Sequence, residues 1–474
     1  MVVVFVHGWS VTDTSTYGRL PEALATQAGD YGLDVRIEHV WLGRYISFHD
    51  GVTVADVARA FDRALRDQIP EGGGIAEFSC ITHSTGGPVV REWLEQFCGT
   101  KPLSESPLRH LVMLAPANHG SALAALGKSR VGRIKAAFSG VEPGQRILDW
   151  LSLGSQEQID LAAAFIDYEP AKNRFFPFVL TGQAIDDKLY DFINSYLVEA
   201  GSDGVVRVAA ANLNYSMIKL VEAKRSKEVK HGGATPFRVR LLKVEGKVKR
   251  PLRVALGVIH GASHSGTKKG IMGAVRTPTS NRPQVAEILK CLQVRHKRGY
   301  DARATELEEL TKQTQKSHRY TMLVFVVKDD QGTPVNDFDL FLLGGDSHGP
   351  DKLTKGFFVD RQQNATHRNH LVYYIDYDII IKNQLSGFRV IARPSQGFTY
   401  YSPVEYHSPD RLNALLRPNE VFYVEIELRR CIDRNVFRFD NAEAPKLRKK
   451  SRFSKSETRH SFKDEKPMGG PVDE

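Results

Sequence analysis

Six short apolar runs are spaced along the first part of the chain, and segments with helical periodicity separate them. One such segment, residues 54–69, places Val57, Phe61 and Leu65 on a single stripe. Most of these runs lack regular polar alternation, which is typical of strands buried on both faces, whereas the run at 35–40 contains charged residues. Alternation of such strands with helices predicts an α/β fold with a doubly wound, mostly parallel sheet. The runs lie at 2–6, 35–40, 77–82, 110–115, 175–181 and 254–259.

The pattern changes after Val294. A polar helical segment at 302–317 leads into short runs rich in β-branched and aromatic residues, which extend from Tyr320 to about Leu428. Glycine, aspartate and asparagine separate these runs, which is typical of a β-sandwich. The end of the chain is basic and polar and has little to bury. We therefore predict an α/β domain over 1–295 with an inserted, lid-like segment at 122–172, a helical linker over 296–318, a β-sandwich-like domain over 319–435 and a disordered basic tail over 436–474.

Length and composition limit the class of protein. With 474 residues, of which 41% are hydrophobic, the chain is long enough for two domains. No stretch approaches 18 uninterrupted apolar residues, so no membrane span is predicted. The apolar run at 2–6 lacks a basic flank and a cleavage site, which predicts a strand rather than a signal peptide. We therefore expect a protein that is cytoplasmic as synthesised, with any export independent of a cleaved signal peptide.

The cysteines and the charge say little about cofactors and more about partners. The four cysteines form no pair motif or metal-ligand spacing, so we predict reduced thiols and no metal site. The net charge is +10, and basic residues are concentrated between 219 and 253. Such a run is either a solvated face or a surface that meets an anionic membrane. No nucleic-acid recognition motif accompanies it, so nucleic acid is not an expected partner.

Residues 77–90 predict a sharp turn between a strand and a helix. The strand ends near Thr82, Ser84 occupies the turn, and Gly86 and Gly87 precede a helical pattern. Such a nucleophile elbow holds a hydroxyl in a strained, exposed backbone position, and small neighbours let the strand and helix approach. Thr82 stands where the usual Gly-x-Ser-x-Gly pattern has its first glycine.

Four further segments carry a family resemblance. They are His-Gly-Trp-Ser at 7–10, a strand ending in Ala-Pro-Ala-Asn-His-Gly-Ser at 110–121, Gly-Ser-Asp-Gly-Val-Val at 201–206, and His-Gly-Ala-Ser-His-Ser-Gly at 260–266. Together with the serine turn, they make the chain resemble the α/β-hydrolase superfamily of serine lipases and esterases. The most similar members are bacterial phospholipase-like lipases, including type VI secretion lipase effectors, and their inositol-deacylase-like relatives in eukaryotes. The resemblance covers about residues 1–290.

The resemblance implies a Ser-His-Asp triad in the chain order serine, acid, histidine. A serine hydroxyl is a poor nucleophile, so an imidazole must take its proton, and a carboxylate must orient that imidazole. We predict Ser84 as nucleophile, Asp203 as acid and His264 as base. His260 is the alternative base, and the aspartates of 186–191 are alternative acids.

The rest of the predicted site consists of an oxyanion hole and an acyl-binding surface. The resemblance implies that the backbone N–H groups of Thr85 and of Trp9, or alternatively Ser10, form the oxyanion hole. The insertion at 122–172 is a common place for a lid, and we predict Trp150 and Leu151 as substrate-binding residues. The alternative is that these helices simply pack on the sheet.

These observations predict a serine carboxylester hydrolase, most naturally a lipase or phospholipase that cleaves acyl esters of membrane lipids through an acyl-enzyme. No cofactor is implied, and the expected partners are a lipid or ester substrate, an anionic membrane surface, and a secretion carrier or immunity protein. Two alternatives stay open. One is a hydrolase of soluble esters, thioesters or amides, and the other is an inert hydrolase-fold adaptor that binds a protein partner.

Overall fold

The computed structural model describes most of the chain outside its last forty residues. The described residues are 1–7, 17–47, 49–99, 105–126, 144–168, 172, 174–185, 200–229, 236–251, 253–316, 319–382, 385–394, 398–408, 412 and 415–433. Trp9, the segment 186–191, the middle of the predicted insertion and the predicted tail 436–474 lie outside them.

Strands and helices alternate in the first half of the chain, and strands dominate the second half. The strands, in chain order, are β1 (Val2–His7), β2 (Arg36–Trp41), β3 (Pro70–Glu71), β4 (Gly74–Ile75), β5 (Phe78–His83), β6 (Leu108–Leu114), β7 (Phe176–Gly182), β8 (Tyr215–Val229), β9 (Phe237–Lys249), β10 (Ala255–Ile259), β11 (Tyr320–Asp329), β12 (Asp337–Gly344), β13 (Phe358–Gln363), β14 (His370–Asp376), β15 (Leu385–Arg393), β16 (Thr399–Tyr400), β17 (Val404–His407), β18 (Val421–Leu428) and β19 (Cys431–Ile432). The α-helices are α1 (Leu20–Gln27), α2 (Val54–Gln68), α3 (Gly86–Cys98), α4 (Gln145–Leu151), α5 (Gln156–Ala164), α6 (Val208–Ala211), α7 (Pro283–Leu292), α8 (Lys297–Thr314) and α9 (Tyr377–Lys382).

The six apolar runs form one parallel sheet in the order β10-β7-β6-β5-β1-β2. Side chains alternate between its two faces, as the period of a strand requires. On β1, Val4 and Val6 join a core with α2 and α3, whereas Val3 and Phe5 join a second core with α1, α7 and α8. Helices therefore cover both faces, and the predicted α/β-hydrolase fold is confirmed.

A second sheet contains nine described strands, in the order β12-β15-β17-β9-β8-β18-β11-β14-β13. Two of them, β8 and β9, come from the basic segment between 219 and 253, for which no strands were predicted. β8 pairs with β18 and β9 pairs with β17, so both belong to the C-terminal sheet. The predicted boundary at 295 therefore does not separate the two domains, because this hairpin leaves the first and completes the second. Its charged residues masked the strand pattern.

The second sheet folds over on itself. Phe325 on β11 packs edge-on against Phe388 on β15, with ring centroids 4.9 Å apart, although five steps of the strand order separate these strands. The hydroxyl of Tyr373 on β14 donates to the carbonyl of Leu340 on β12 at 2.7 Å, which joins one edge strand to the strand next to the other edge. The C-terminal part is thus a mostly-β, sandwich-like unit, as predicted.

The two sheets share a hydrophobic core. Alternate residues of the central strands of the second sheet, including Val324, Tyr374 and Tyr423, pack with α3, α4 and α5 of the hydrolase part. Their neighbours Leu323 and Tyr373 face the interior of the C-terminal unit. One face of the second sheet therefore covers the first domain, and the other face closes its own core.

Helix α8 packs on the first sheet, although the sequence predicted a linker at 296–318. Tyr300, Ala304 and Leu307 are buried in the core beneath β10. The hydroxyl of Tyr300 donates to the carbonyl of Pro177, and Thr311 accepts from the N–H of Val258. The apolar stripe of this helix is sparse, but its residues bury one side of the helix against the sheet.

Three smaller features concern membranes, metals and thiols. Among the described helices, none is both long and apolar enough to cross a membrane. Within the same residues, no group of three or more histidine, cysteine, aspartate or glutamate side chains is arranged to hold a metal ion. Cys80, Cys98, Cys291 and Cys431 form no disulfide with one another, and the first three are buried.

Candidate active site

Ser84 occupies the sharp turn between β5 and α3. Its φ of 53° lies in the left-handed region, which costs a non-glycine residue about 1 kcal/mol or more. Two backbone contacts hold the turn: the N–H of Ser84 donates to the carbonyl of Leu114 at 3.1 Å, and its carbonyl accepts from Ala117 at 3.3 Å. The elbow therefore rests on the end of the neighbouring strand β6.

The small residues beside Ser84 are required by close packing. A Cβ on Gly87 would lie 2.9 Å from the Cβ of Pro116, and a Cβ on Gly86 would lie 3.2 Å from the Cβ of Thr82. Thr82 itself replaces the usual first glycine of the motif. The space that this side chain needs is available because position 86 has no side chain.

A hydrogen-bond chain links Ser84, His264 and Asp203. The Ser84 hydroxyl lies 3.2 Å from Nε2 of His264, and Nδ1 of His264 lies 3.0 Å from Oδ2 of Asp203. All three side chains are buried. Because an ionised carboxylate only accepts hydrogen bonds, Nδ1 carries the proton and Nε2 is left to accept from the serine hydroxyl. This is the tautomer that a general base requires.

The loop that carries Asp203 is built around its carboxylate. The N–H groups of Val205 and Val206 donate to Oδ1 at 3.0 and 2.7 Å, while Oδ2 accepts from His264. Gly201 and Gly204 have φ values of 76° and 97°, so the tight turn uses glycine where the left-handed backbone demands it. These hydrogen bonds offset the cost of burying a carboxylate with no exposed surface.

The structure brings His264, and not His260, to the serine. His260 directly follows β10 and is exposed. Gly261, with a φ of 69°, then turns the chain, and the N–H of His264 donates to the carbonyl of Asp203 at 3.0 Å. The alternative acids at 186–191 lie outside the described residues.

His83, which directly precedes Ser84 at the end of β5, contacts His264. Its Nε2 donates to the carbonyl of His264 at 3.1 Å, and the two imidazole rings lie 4.6 Å apart. Burial, together with repulsion from His264, lowers the pKa of His83 well below its usual value. His83 is therefore neutral, and its hydrogen bond holds the backbone at His264 in place.

Among the predicted oxyanion-hole and substrate-binding residues, the structure describes Thr85, Trp150 and Leu151. Thr85 directly precedes α3, where the first backbone N–H groups of a helix lack intrahelical acceptors. Trp9 lies outside the described residues. Trp150 and Leu151 on α4 are buried in the shared core, and Leu151 accepts from the N–H of Ser121. This placement favours the alternative of ordinary packing helices for the described part of the insertion.

Sequence reasoning missed the contacts between the site and the C-terminal sheet. Nδ1 of the buried His119 lies 2.7 Å from the hydroxyl of Tyr423 on β18, and Arg207 packs over Tyr374 on β14. Each pair is separated by more than 160 residues, so no local pattern could have revealed it. Burial lowers the pKa of His119 to about 3, so this histidine is neutral as well.

A large cleft in the described part of the chain lies away from the serine. Its volume is about 1070 Å³, and it lies between α8 and the C-terminal sheet. Arg250, Lys312 and Arg417 are among its lining residues, whereas Ser84 and His264 are not. The reactive geometry, and not cavity size, therefore identifies the candidate site.

Comparisons with solved structures identify a bacterial phospholipase as a relative of this chain. The structure of phospholipase PlaB from Legionella pneumophila is 41% identical, covers 100% of this chain and 100% of its own, and superposes with a TM-score of 0.83. The same phospholipase in complex with thio-NAD is 42% identical over 94% of this chain and 97% of its own, with a TM-score of 0.82. The mature lipase BlEst2 of Bacillus licheniformis is 20% identical, covers 44% of this chain and 78% of its own, and has a TM-score of 0.33. No protein-family model and no curated protein matches the chain.

Proposed function

This chain belongs to the family of the L. pneumophila phospholipase PlaB and is a lipase- or phospholipase-type hydrolase with a lipid substrate, and on that premise we propose how it works. We propose that it cleaves acyl esters of membrane lipids through a covalent acyl-enzyme. Ser84 is the nucleophile, His264 the general base and acid, and Asp203 the residue that orients the imidazole.

The single observation that carries this proposal is the hydrogen-bond chain from Ser84 through His264 to Asp203. Its two distances are within reach for proton transfer. The N–H groups of Val205 and Val206 hold one carboxylate oxygen, which leaves the other for His264. The acid therefore orients the base without competing for its proton.

The proposed reaction has two halves. Oγ of Ser84 attacks the acyl carbonyl carbon while its proton passes to Nε2 of His264, and the carbonyl oxygen becomes an oxyanion. The N–H of Thr85, at the start of α3, is the proposed donor to that oxyanion. Collapse of the intermediate breaks the ester bond, and His264 gives its proton to the departing alcohol.

The second half repeats these steps with water. His264 takes a proton from water, the resulting hydroxide attacks the acyl-serine, and the fatty acid leaves as Ser84 regains its proton from His264. Asp203 stabilises the imidazolium in both halves.

The test is substitution of the nucleophile with a matched control. Ser84→Ala should lower hydrolysis of a phospholipid and of a short soluble ester by about 10⁴-fold or more, because triad members act as a unit. A fluorophosphonate probe should label the wild type and not this variant. The control is Ser216→Ala, which removes another buried serine hydroxyl, on β8, and should leave both readouts unchanged.

Two outcomes would contradict the proposal. A Ser84→Ala variant that keeps a tenth of the wild-type rate would remove this serine from the mechanism. A folded wild-type protein that the probe does not label would support the inert adaptor instead. Activity on soluble esters, thioesters or amides without activity on phospholipids would favour the other alternative.

We further propose that the basic hairpin β8–β9 attracts anionic lipid surfaces. Lys224, Arg225 and Lys227 on β8 are exposed, and basic residues near an anionic surface contribute about 1 kcal/mol each. Part of the run is neutralised within the sheet, because Lys219 forms ion pairs with Glu245 and Glu427. The carrier or immunity protein remains a prediction from the sequence resemblance.

A further inference from the structure

The short loop that carries Asp203 is contacted at both ends by the C-terminal sheet. We define this acid loop as residues 201–207. At its first end, the hydroxyl of Tyr374 on β14 donates to the carbonyls of Gly201 at 3.2 Å and Ala200 at 3.1 Å. At its last end, the guanidinium of Arg207 lies over the ring of the same tyrosine, 4.3 Å from its centroid. One side chain of the second sheet thus bridges both ends.

The side chain of Arg207 reaches into that sheet. Its side chain is 1% exposed, it pairs with the carboxylate of Asp360 on β13, and Nη1 lies 3.8 Å from Sδ of Met322 on β11. A guanidinium buried to this extent is tolerated only with a partner, because removing one member of a buried pair is strongly destabilising. The last residue of the acid loop is therefore tied to the C-terminal strands.

The backbone at Gly201 is packed too closely against the second sheet to leave room for a side chain. A Cβ at this position would lie 2.4 Å from the Tyr374 hydroxyl and 2.3 Å from Cδ2 of Tyr320. The two tyrosine rings stack on each other with centroids 5.3 Å apart. The backbone of the loop is thus pressed directly against two side chains of the second sheet.

Movement at either end of the loop reaches the carboxylate. Ser202 and Arg207 form an antiparallel bridge, and the N–H of Asp203 donates to the carbonyl of Val206 at 3.1 Å. The N–H groups of Val205 and Val206 hold Oδ1 of Asp203. In so tight a turn, displacement of the ends rotates the carboxylate relative to His264, and a misplacement of 1 Å can cost about 10²-fold in rate.

We infer that Tyr374, Arg207 and Asp360 are positioning residues for the catalytic acid, so the C-terminal β unit is a working part of the active site. This inference rests on the proposed role of Asp203. The residues themselves touch neither the serine nor the base, and they act through the acid loop.

The test compares two adjacent tyrosines on β14. Tyr374→Phe removes the hydroxyl that holds Gly201 and keeps the ring beneath Arg207. Tyr373→Phe is the matched control, because this buried neighbour also donates to a backbone carbonyl, that of Leu340, but on the opposite face. Each variant loses one hydroxyl that donates to backbone carbonyl groups, so their thermal midpoints should fall by similar amounts. With a soluble ester, Tyr374→Phe should lower kcat by about 10-fold or more with KM within about two-fold, whereas Tyr373→Phe should leave kcat within about two-fold.

A double-substitution cycle shows whether the effect passes through Asp203. Asp203→Ala should retain a small residual rate, since catalysis by the remaining site survives loss of one triad member. In that background Tyr374→Phe should have no further effect on kcat, because its target is gone. Should Tyr374→Phe fail to fold, the second variant is Asp360→Asn. It is chosen because the side chain of Asp360 is partly exposed. Its control is Asp339→Asn, which weakens the exposed pair with Arg393.

The outcomes separate this inference from the proposed function. Near-normal activity of Asp203→Ala would contradict the proposed function itself. An inactive Asp203→Ala together with equal kcat values for Tyr374→Phe and Tyr373→Phe would overturn the positioning role alone. An equal fold-loss from Tyr374→Phe with and without Asp203 would also overturn it, because the tyrosine would then act by another route.

Discussion

The two sheets of this protein bury their faces in different ways. The first sheet takes six parallel strands from one half of the chain, and helices cover both of its faces. The second combines the hairpin β8–β9 with strands from beyond residue 319, and one of its faces lies on the first domain. The first sheet thus carries Ser84 and His264 just beyond the ends of its strands, while the second sheet contacts the loop that carries Asp203.

This difference decides which features a sequence reveals. A strand buried on both faces is apolar along its length, so a single run identifies it. A strand such as β8 is buried at its start and exposed at its charged end, where Lys224 and Arg225 lie. Its partner β9 follows it in the chain, but its other partner β18 lies far away in the sequence, so charge and distance both hide β8.

The largest expected effect tests whether the chemistry belongs only to the edge of the first sheet. His264→Ala should lower the rate on a soluble ester by about 10⁴-fold or more, because the base and nucleophile act together. His260→Ala, in the same loop but exposed, should stay within about two-fold. Steady-state kinetics of the two variants decides, and the reverse ranking would show that the base is the other histidine.

The next prediction tests whether the second sheet is an independent domain. Leu323 and Val324 are adjacent on β11 and fully buried, the first in the C-terminal core and the second in the shared core. Leu323→Ala should cost about 2–5 kcal/mol of the free energy of unfolding. Because the cores meet across one strand, calorimetry should show a single transition, and activity should be lost at the same temperature.

Val324→Ala is the comparison for that experiment. It should lower the midpoint of the same single transition by a similar or smaller amount, since it removes fewer carbon atoms. An early, separate transition in Leu323→Ala that leaves activity intact would establish two independent domains. That result would also weaken the positioning role of Tyr374.

A pH experiment exploits a titratable group that the first sheet encloses. Burial of His110 on β6 lowers its pKa from 6.5 to about 4, with Nε2 donating to the carbonyl of Val294 and Nδ1 facing the Ser79 hydroxyl. The unfolded chain takes up a proton below about pH 6.5 and the folded protein only near pH 4. Stability therefore falls as the pH drops through this window, by about 3 kcal/mol from this residue.

The variant His110→Gln should lose that part of the pH dependence. Chemical denaturation of both proteins between pH 7.5 and about pH 4 measures it. Their difference in unfolding free energy should be constant above pH 7 and should shift in favour of the variant as the pH falls. Parallel curves over the whole range would show that His110 does not stay neutral in the fold.

The smallest expected effect concerns the exposed end of the second sheet. Reversal of Lys224, Arg225 and Lys227 to glutamate should weaken activity on phosphatidylglycerol-containing vesicles and leave a soluble uncharged ester unaffected. Added salt should reproduce this loss in the wild type, because surface attraction decays within a Debye length of about 10 Å at about 0.1 M salt. Activity assays on vesicles at increasing salt concentration measure this loss. An equal response of both substrates would show that the hairpin is a solvated face and does not attract anionic lipid.

The sequence by itself determined the first sheet and the residues that meet at its edge. Apolar runs placed the strands within one or two residues of their observed bounds. The motifs around Ser84, Asp203 and His264 are local, and the carboxyl ends of parallel strands bring such loops together. The family resemblance of these motifs, together with their chain order, led to the choice of Ser84, Asp203 and His264, and the structure places these side chains at hydrogen-bond distances of 3.0 and 3.2 Å.

Only the tertiary structure decided how the second sheet is composed and what it does. The pairing of β8 and β9 with distant strands, the burial of α8, and the contact of Tyr374 with both ends of the acid loop depend on residues far apart in the chain. Periodicity describes which side of an element is buried, but not what covers it. That choice depends on the summed packing of both domains, so no single segment contains it.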